Sequence, residues 1–500
     1  MRVLGTQLNK ILLIFLFLPL GIFGENVSFK IDVDPSLTKN NKTFSGRLFV
    51  LVSNSKRSLD IIRPNFMNPR SVYVAATEVS HLGKGRGAQL HSNAVCSPQM
   101  LSSLPAGEYQ AMAVLDDDWN FSYHFNMDGG DLYSDVVRFT IPMQNVALSL
   151  KKVAPYKKVS LPLNVNVVKM ESKNLSKFWG RSVNMQASVM LPPSYKKGDR
   201  KYPVVYDVHG FGGDHLHPIR NMRQFTKEMK SGERPEMIYV FLNGHCPLGH
   251  HVFADSANNG PWGTALVEEF IPHLESKFRM DARPQGRLLT GHSSGGWSTL
   301  WIMITHPDFF GGVWSTAPDP VDFRNFTGPD LSHYPPRNMY KNEQGKDYNL
   351  VRFGGREVMS LKQFVIQERA FGRFGGQFAS FEAVFSPKGK DGQPMPLFCR
   401  DTGIIDPVVQ KSWEKYDIAV VLRKNWEKLG PKLHGKIRII IGTEDTFHLN
   451  EAVVLLEEVL KELKSDAVIQ YIEGGDHFNI YRNGLANRIA REMYSVARPK

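Results

Sequence analysis

The hexapeptide Gly291-His292-Ser293-Ser294-Gly295-Gly296 constrains this chain more than any other stretch. An apolar run, Arg287-Leu288-Leu289-Thr290, leads into it, and a helical pattern, Trp297-Ser298-Thr299-Leu300-Trp301-Ile302-Met303-Ile304, leads out. A serine centred in G-x-S-x-G between a strand and a helix must occupy a very tight turn. The glycines two before and two after it remove Cβ atoms that would otherwise collide there. Such a turn lifts the hydroxyl above a sheet edge and aims the next backbone N–H at whatever the hydroxyl attacks. The pentapeptide alone is common in loops; its strand-and-helix setting makes Ser293 a candidate nucleophile.

The flanking sequence predicts the sheet that such a turn needs. Near-continuous apolar runs at 202–208, 237–242, 312–315, 437–441 and 468–472 alternate with helical patterns. That alternation signifies a parallel, doubly wound sheet covered on both faces, an α/β domain over residues 160–500. Between Thr264 and Phe278, the residues Leu266, Phe270, Leu274 and Phe278 keep helical spacing, and Pro272 is expected to kink the helix or move its start. From about Asp319 to Gly435 the rhythm breaks into Gly, Pro and charged residues, with one helix expected around Met359 to Arg369. An excursion of that length after the nucleophile reads as a cap-like insertion over the pocket.

Residues 25–150 differ. Short alternating runs such as Arg47 to Val52, Glu108 to Leu115 and Val136 to Thr140 are separated by turn residues, which predicts an all-β, sandwich-like domain. Asp116-Asp117-Asp118 lacks a calcium-ligand loop around it and reads as a solvated turn. A basic, Pro-containing linker is expected from about Lys151 to Pro162. Ahead of all this, Arg2 and Lys10 precede Ile11 to Leu18, with Pro19, Gly21 and Gly24 after them. Residues 1–24 therefore read as a signal peptide, with the mature chain starting near Glu25, secreted or periplasmic, and without a transmembrane anchor once cleaved.

With three cysteines, Cys96, Cys246 and Cys399, at least one thiol has no partner within the chain, so packing must supply the stability. The net charge of +12 raises the question of nucleic acid. The lysines and arginines are scattered singly or in pairs without an interleaved aromatic motif, and no nucleic-acid partner is expected.

A serine hydroxyl needs a general base, and the base needs an orienting carboxylate. In doubly wound hydrolases these follow the serine in the order acid, then histidine. Among His306, His333, His434, His448 and His477, the last fits best, on the glycine-hinged loop Glu473-Gly474-Gly475-Asp476-His477 after an apolar strand. Asp445, a few residues past the 437–441 strand, is the favoured acid over Glu444; Asp476 should point away from its neighbour. A hydrogen bond between Ser293 and His477 is expected. For the oxyanion hole, the backbone N–H of Ser294 and of Phe211, in His209-Gly210-Phe211-Gly212-Gly213, are the candidate donors, with His209 holding that loop. Trp262, at the tip of a polar, turn-rich segment, is a substrate-pocket candidate or packs under the cap. His245, Cys246, His250 and His251 lack a matching partner set and read as loop residues, not metal ligands.

Taken together, Val204 to Gly213, Gly291 to Gly296, Gly442-Thr443-Glu444-Asp445 and Gly474 to His477 resemble the putative-esterase family of α/β hydrolases. That family includes esterase D (S-formylglutathione hydrolase), feruloyl esterases, enterochelin esterases and the mycolyltransferases of the antigen 85 group. The resemblance covers roughly residues 160 to 500 and implies a triad at Ser293, Asp445 and His477 with no metal or organic cofactor. A β domain ahead of the catalytic domain is also similar to enterochelin-esterase-like proteins, whereas the long segment after Asp319 departs from the compact members. The expected activity is that of an exported serine carboxylesterase on a small-molecule or polymer-linked ester. Acyl transfer to an alcohol or sugar, and a non-catalytic binding protein retaining the fold, are the alternatives.

Overall fold

The computed structural model describes residues 27–64, 68–91, 94–117, 128–156 and 159–499. The expected signal peptide and Asp118 lie outside the described residues.

Eight strands form the central sheet, in the order Val165–Glu171, Asn184–Met190, Ile238–Leu242, Val204–Val208, Arg287–His292, Gly312–Thr316, Ile437–Gly442 and Val468–Ile472. The first two pairings are antiparallel and the remaining five parallel. The antiparallel pair escapes the sequence reading because its edge member is largely exposed, with only Val165 and Val168 buried, and carries no continuous apolar run. Along the parallel strands successive side chains enter opposite layers. Tyr206, Leu289, Val313 and Ile439 pack with the helix Ser294–Thr305 on one face. Val205, Leu288, Trp314 and Ile440 pack with the helices Ile219–Ser231 and Leu485–Ala497 on the other. Pro272 does not break its helix. The turn ahead of it, Leu266–Phe270, is wound as a π-helix between Trp262–Ala265 and Ile271–Lys277, which accommodates the missing proline N–H without a break.

The insertion is richer in helix than its composition suggests. A hairpin of Asn349–Phe353 and Arg356–Ser360 runs into the helix Leu361–Phe371, started by a capping box between Ser360 and Gln363. Helices Gln377–Phe385, Pro407–Trp413 and Ile418–Leu433 follow. Aromatic residues fasten them to the helix after Ser293: Trp297 lies 5.2 Å from Phe385, and Trp301 lies 5.5 Å from Tyr416, ring centre to ring centre.

Between Val27 and Val153, nine strands share one hydrogen-bonded network wrapped around Phe29, Leu48, Val50, Ala113 and Leu148. Asp116 ends one of these strands and is buried, so it does not belong to a solvated turn; Asp117 next to it is exposed. The opposite face, with Phe49, Leu51, Val74 and Met112, meets Ala370 and Phe371 at the end of the insertion helix. There Arg47 donates from Nε to Ala370 O at 2.9 Å and from Nη2 to Arg369 O at 2.8 Å, while also pairing with Glu78. A guanidinium on the last carbonyls of a helix satisfies acceptors that have no partner within it and complements the helix dipole. Cys96, Cys246 and Cys399 are all free thiols, and no described helix is long and apolar enough to cross a membrane.

The ring of Phe371 sits 5.8 Å from that of Phe49. Phe371→Ala should weaken this contact by about 3 kcal/mol. Urea unfolding followed by intrinsic fluorescence is expected to begin at lower denaturant, with the far-UV circular dichroism of the native state unchanged.

Candidate active site

Ser293 has φ 60° and ψ −125°, a conformation that a non-glycine residue adopts only when its surroundings impose it. Three backbone bonds do so. Ser293 N–H donates to Thr316 O at 3.0 Å, and its carbonyl accepts from Trp297 N–H at 3.1 Å and Asp319 N–H at 3.2 Å. The glycines around it are demanded by close approach: a Cβ on Gly295 would lie 1.8 Å from Val208 O. Ser294 heads the following helix, so its N–H has no carbonyl partner one turn back and is directed out of the helix end.

The loop His209 to Gly213 comes against the serine from the adjacent strand. A Cβ on Gly210 would stand 3.2 Å from Ser293 Cβ, a tight contact that Ser293 would have to yield to, and glycine avoids it. His209 fixes that loop at both ring nitrogens, donating from Nδ1 to Gly210 O at 2.7 Å and accepting Gly244 N–H on Nε2 at 2.8 Å. Burial lowers its pKa to about 4, which keeps the ring neutral as this pattern requires. Phe211 follows Gly210 directly in this turn.

At the ends of the next strands, His477 donates from Nδ1 to Asp445 Oδ2 at 2.8 Å. Both side chains are buried. Burial acts to raise the Asp445 pKa, but the His477 imidazole and the N–H groups of Phe447 and Leu449, 2.9 and 3.3 Å from Oδ1, outweigh it and hold the carboxyl below its ordinary value. The rival acids are engaged elsewhere: Asp476 accepts the N–H groups of Phe478 and Asn479, and Glu444 lies 3.5 Å from Arg352.

The expected Ser293–His477 hydrogen bond is not formed. Among the described residues, the Ser293 hydroxyl instead donates a long bond, 3.5 Å, to Asp319 Oδ1. A carboxylate is a stronger acceptor than a neutral imidazole nitrogen, and the contact between a catalytic serine and its base is commonly loose before substrate binds. The Asp319 carboxyl is buried beside Ser293, with Oδ2 accepting from Ser294 Oγ at 2.5 Å and from Gln377 Nε2 at 3.2 Å. Burial pushes its pKa up to about 6, with Ser294, His477 and Ser293 pulling it partly back. Sequence reading uses Asp319 only as a domain boundary, although it stands past a strand end at the same sheet edge as the triad candidates. Gln377 and Arg352 had no local signal at all. Both come from the insertion, and Arg352 binds the acid loop by donating from Nε to Asp445 O at 2.8 Å and from Nη2 to Thr443 O at 3.2 Å.

Trp262 is buried, its ring stacked on His251 at 3.7 Å between centres. His250 and His251 are core residues, contrary to their reading as loop side chains: His250 donates from Nε2 to His209 O at 3.0 Å. Two surface clefts, of about 550 and 460 Å³, share no lining residue with the Ser293 region. Convergent polar chemistry points to Ser293.

Residues 181–486 match the model of the family described as Putative esterase. The match covers more than half of the chain, and the protein belongs to that family of α/β hydrolases. Over 126 residues it is 32% identical to an esterase of Mycobacterium tuberculosis, an alignment that takes in 24% of this chain and 25% of the relative. The chain thus spans about a quarter of the length of that curated relative. Solved structures similar to it include a ferulic acid esterase, 16% identical with a TM-score of 0.43, covering 67% of this chain and 100% of the other. An S-formylglutathione hydrolase from Agrobacterium tumefaciens is 14% identical with a TM-score of 0.40, covering 68% and 96%.

Gly295→Ala places a methyl group where Val208 O already stands, and the helix must move for it to fit. We expect loss of soluble protein or of all Ser293 reactivity. Gly392→Ala, where a Cβ meets nothing within 4 Å but φ is +78°, should cost only about 1–2 kcal/mol and remain soluble and reactive; expression and fluorophosphonate labelling of the two variants make the comparison.

Proposed function

We propose that this protein is an exported serine carboxylesterase. Ser293 Oγ attacks the ester carbonyl while His477 Nε2 takes its proton, giving a tetrahedral oxyanion. The oxyanion accepts hydrogen bonds from the backbone N–H groups of Ser294 and Phe211. Collapse expels the alcohol, which leaves with the proton held by His477, and an acyl-serine remains. Water, deprotonated by His477, attacks the acyl-serine, and His477 returns the proton to Ser293 Oγ as the acid is released. Asp445 holds the imidazole in the tautomer with the proton on Nδ1 and stabilises the imidazolium formed in each half-reaction.

The observation that carries this reading is the strained serine at a helix N-terminus together with the buried His477–Asp445 pair at the same sheet edge. This mechanism requires the Ser293 hydroxyl to leave Asp319 and donate to His477 when a carbonyl approaches. No step calls for a metal or organic cofactor.

Hydrolysis of a p-nitrophenyl ester series from acetate to long acyl chains is the test. Ser293→Ala should fall to background, and Asp445→Asn should lose on the order of 10⁴ in kcat, because the amide no longer enforces the productive tautomer. Full activity in Ser293→Ala would refute the mechanism. N-terminal sequencing of the exported protein is expected to begin near Glu25.

A further inference from the structure

Asp319 has no role in the sequence of steps above, yet its carboxyl is the nearest hydrogen-bonding partner of the nucleophile's hydroxyl. Its two oxygens are used unequally. Among the described residues, Oδ2 accepts two donors, Ser294 Oγ and Gln377 Nε2, while Oδ1 has only the 3.5 Å contact with Ser293. A carboxylate can accept about four hydrogen bonds, so Oδ1 retains acceptor capacity on the side facing the serine. Gln377 also donates to Ser294 Oγ, at 3.1 Å, which fixes the orientation of the group from the insertion side.

In an acyl-transfer site this placement carries a cost. The tetrahedral intermediate develops negative charge within a few ångströms of Ser293 Oγ, and a second negative charge so close, in a water-poor site, opposes it strongly. The cost is removed if the substrate itself brings a donor to Oδ1. The direction of that donor follows from the neighbours. The leaving alcohol must face His477, and the His477 ring is bordered by Phe447 and Phe478, at 4.9 and 5.3 Å between centres. Among the described residues Asp319 makes its hydrogen bonds with Ser293, Ser294 and Gln377 and none with His477, so the donor that reaches it is assigned to the acyl half.

We propose that Asp319 is a specificity-determining residue that makes the site prefer esters whose acyl group carries a hydroxyl or ammonium donor one or two atoms from the scissile carbonyl. The hydroxyl or ammonium donates to Asp319 Oδ1 as the serine attacks, and the bond strengthens as charge develops nearby. An acyl group with only hydrocarbon at that position leaves the carboxylate uncompensated. This inference rests on the serine-esterase reading.

The experiment compares phenyl propionate, phenyl lactate and the phenyl ester of alanine on the wild type, Asp319→Asn and Asp319→Ala. The kcat/KM values are divided by each ester's rate with hydroxide to remove intrinsic reactivity. The wild type should favour lactate and alanine esters over propionate by about tenfold or more, the range expected for a hydrogen bond to a charged group. Asp319→Ala should bring all three to within about twofold of one another, chiefly by faster propionate turnover. Asp319→Asn should keep a preference for lactate, whose hydroxyl can donate to the amide oxygen, and lose the preference for the ammonium. Labelling of Ser293 by a fluorophosphonate establishes that each variant is folded and reactive. A labelled wild type with no preference, or an Asp319→Ala enzyme that keeps the wild-type ratios, overturns the role of Asp319 alone. A folded wild type that neither labels nor turns over any of the esters overturns the esterase reading and this inference together.

Discussion

Everything at this sheet edge depends on how closely one helix is allowed to approach the sheet. The backbone of Gly295 lies against the carbonyl of Val208 at a distance that leaves no room for a side-chain carbon. That contact sets the helix Ser294–Thr305 tight on the strands, and the strained backbone of Ser293 is what a chain must adopt to pass from strand to helix in so little space. A strain of about 1–3 kcal/mol is held by the three backbone bonds to Thr316, Trp297 and Asp319. The same approach brings the first N–H of the helix and the Gly210 turn to either side of one hydroxyl.

The remaining side chains arrive from strands that end at the same level. Parallel strands place their C-terminal ends along one edge, so residues more than a hundred positions apart, such as Ser293 and Asp445, come together without any long-range signal in the sequence. Burial then tunes each group. Asp445 pairs directly with the His477 imidazole, which with two backbone N–H groups outweighs its burial, whereas Asp319 has no such direct partner and its burial is only partly offset, so its carboxyl is held far closer to neutrality. Two buried carboxyls at one sheet edge thus acquire different chemical characters from the groups that surround them.

The sequence was most legible where a backbone demand restricts the residue type. The strand–turn–helix at Ser293, the glycines flanking Phe211 and the parallel strands are such places, because tight turns and doubly buried strands tolerate few alternatives. The placement of Asp445 and His477 followed from strand ends plus chain order. Legibility failed where the deciding interaction is tertiary. Nothing around Gln377 or Arg352 indicates that their side chains reach the Ser294 and Asp445 regions. The helices of the insertion were hidden because Gly and Pro between them dominate its composition. His250 and His251 look like loop side chains until the structure shows their hydrogen bonds inside the core.

The contact between Arg47 and the end of the helix Leu361–Phe371 has a mechanical meaning. Gln377 lies only six positions beyond Phe371 and hydrogen-bonds Ser294 and Asp319. The β domain, whose strands contain no candidate catalytic group, is thereby joined to the Ser293 region by one helix end and a short run of chain. Trimming the protein to its hydrolase core would keep every residue of the proposed triad and remove the guanidinium that caps this helix.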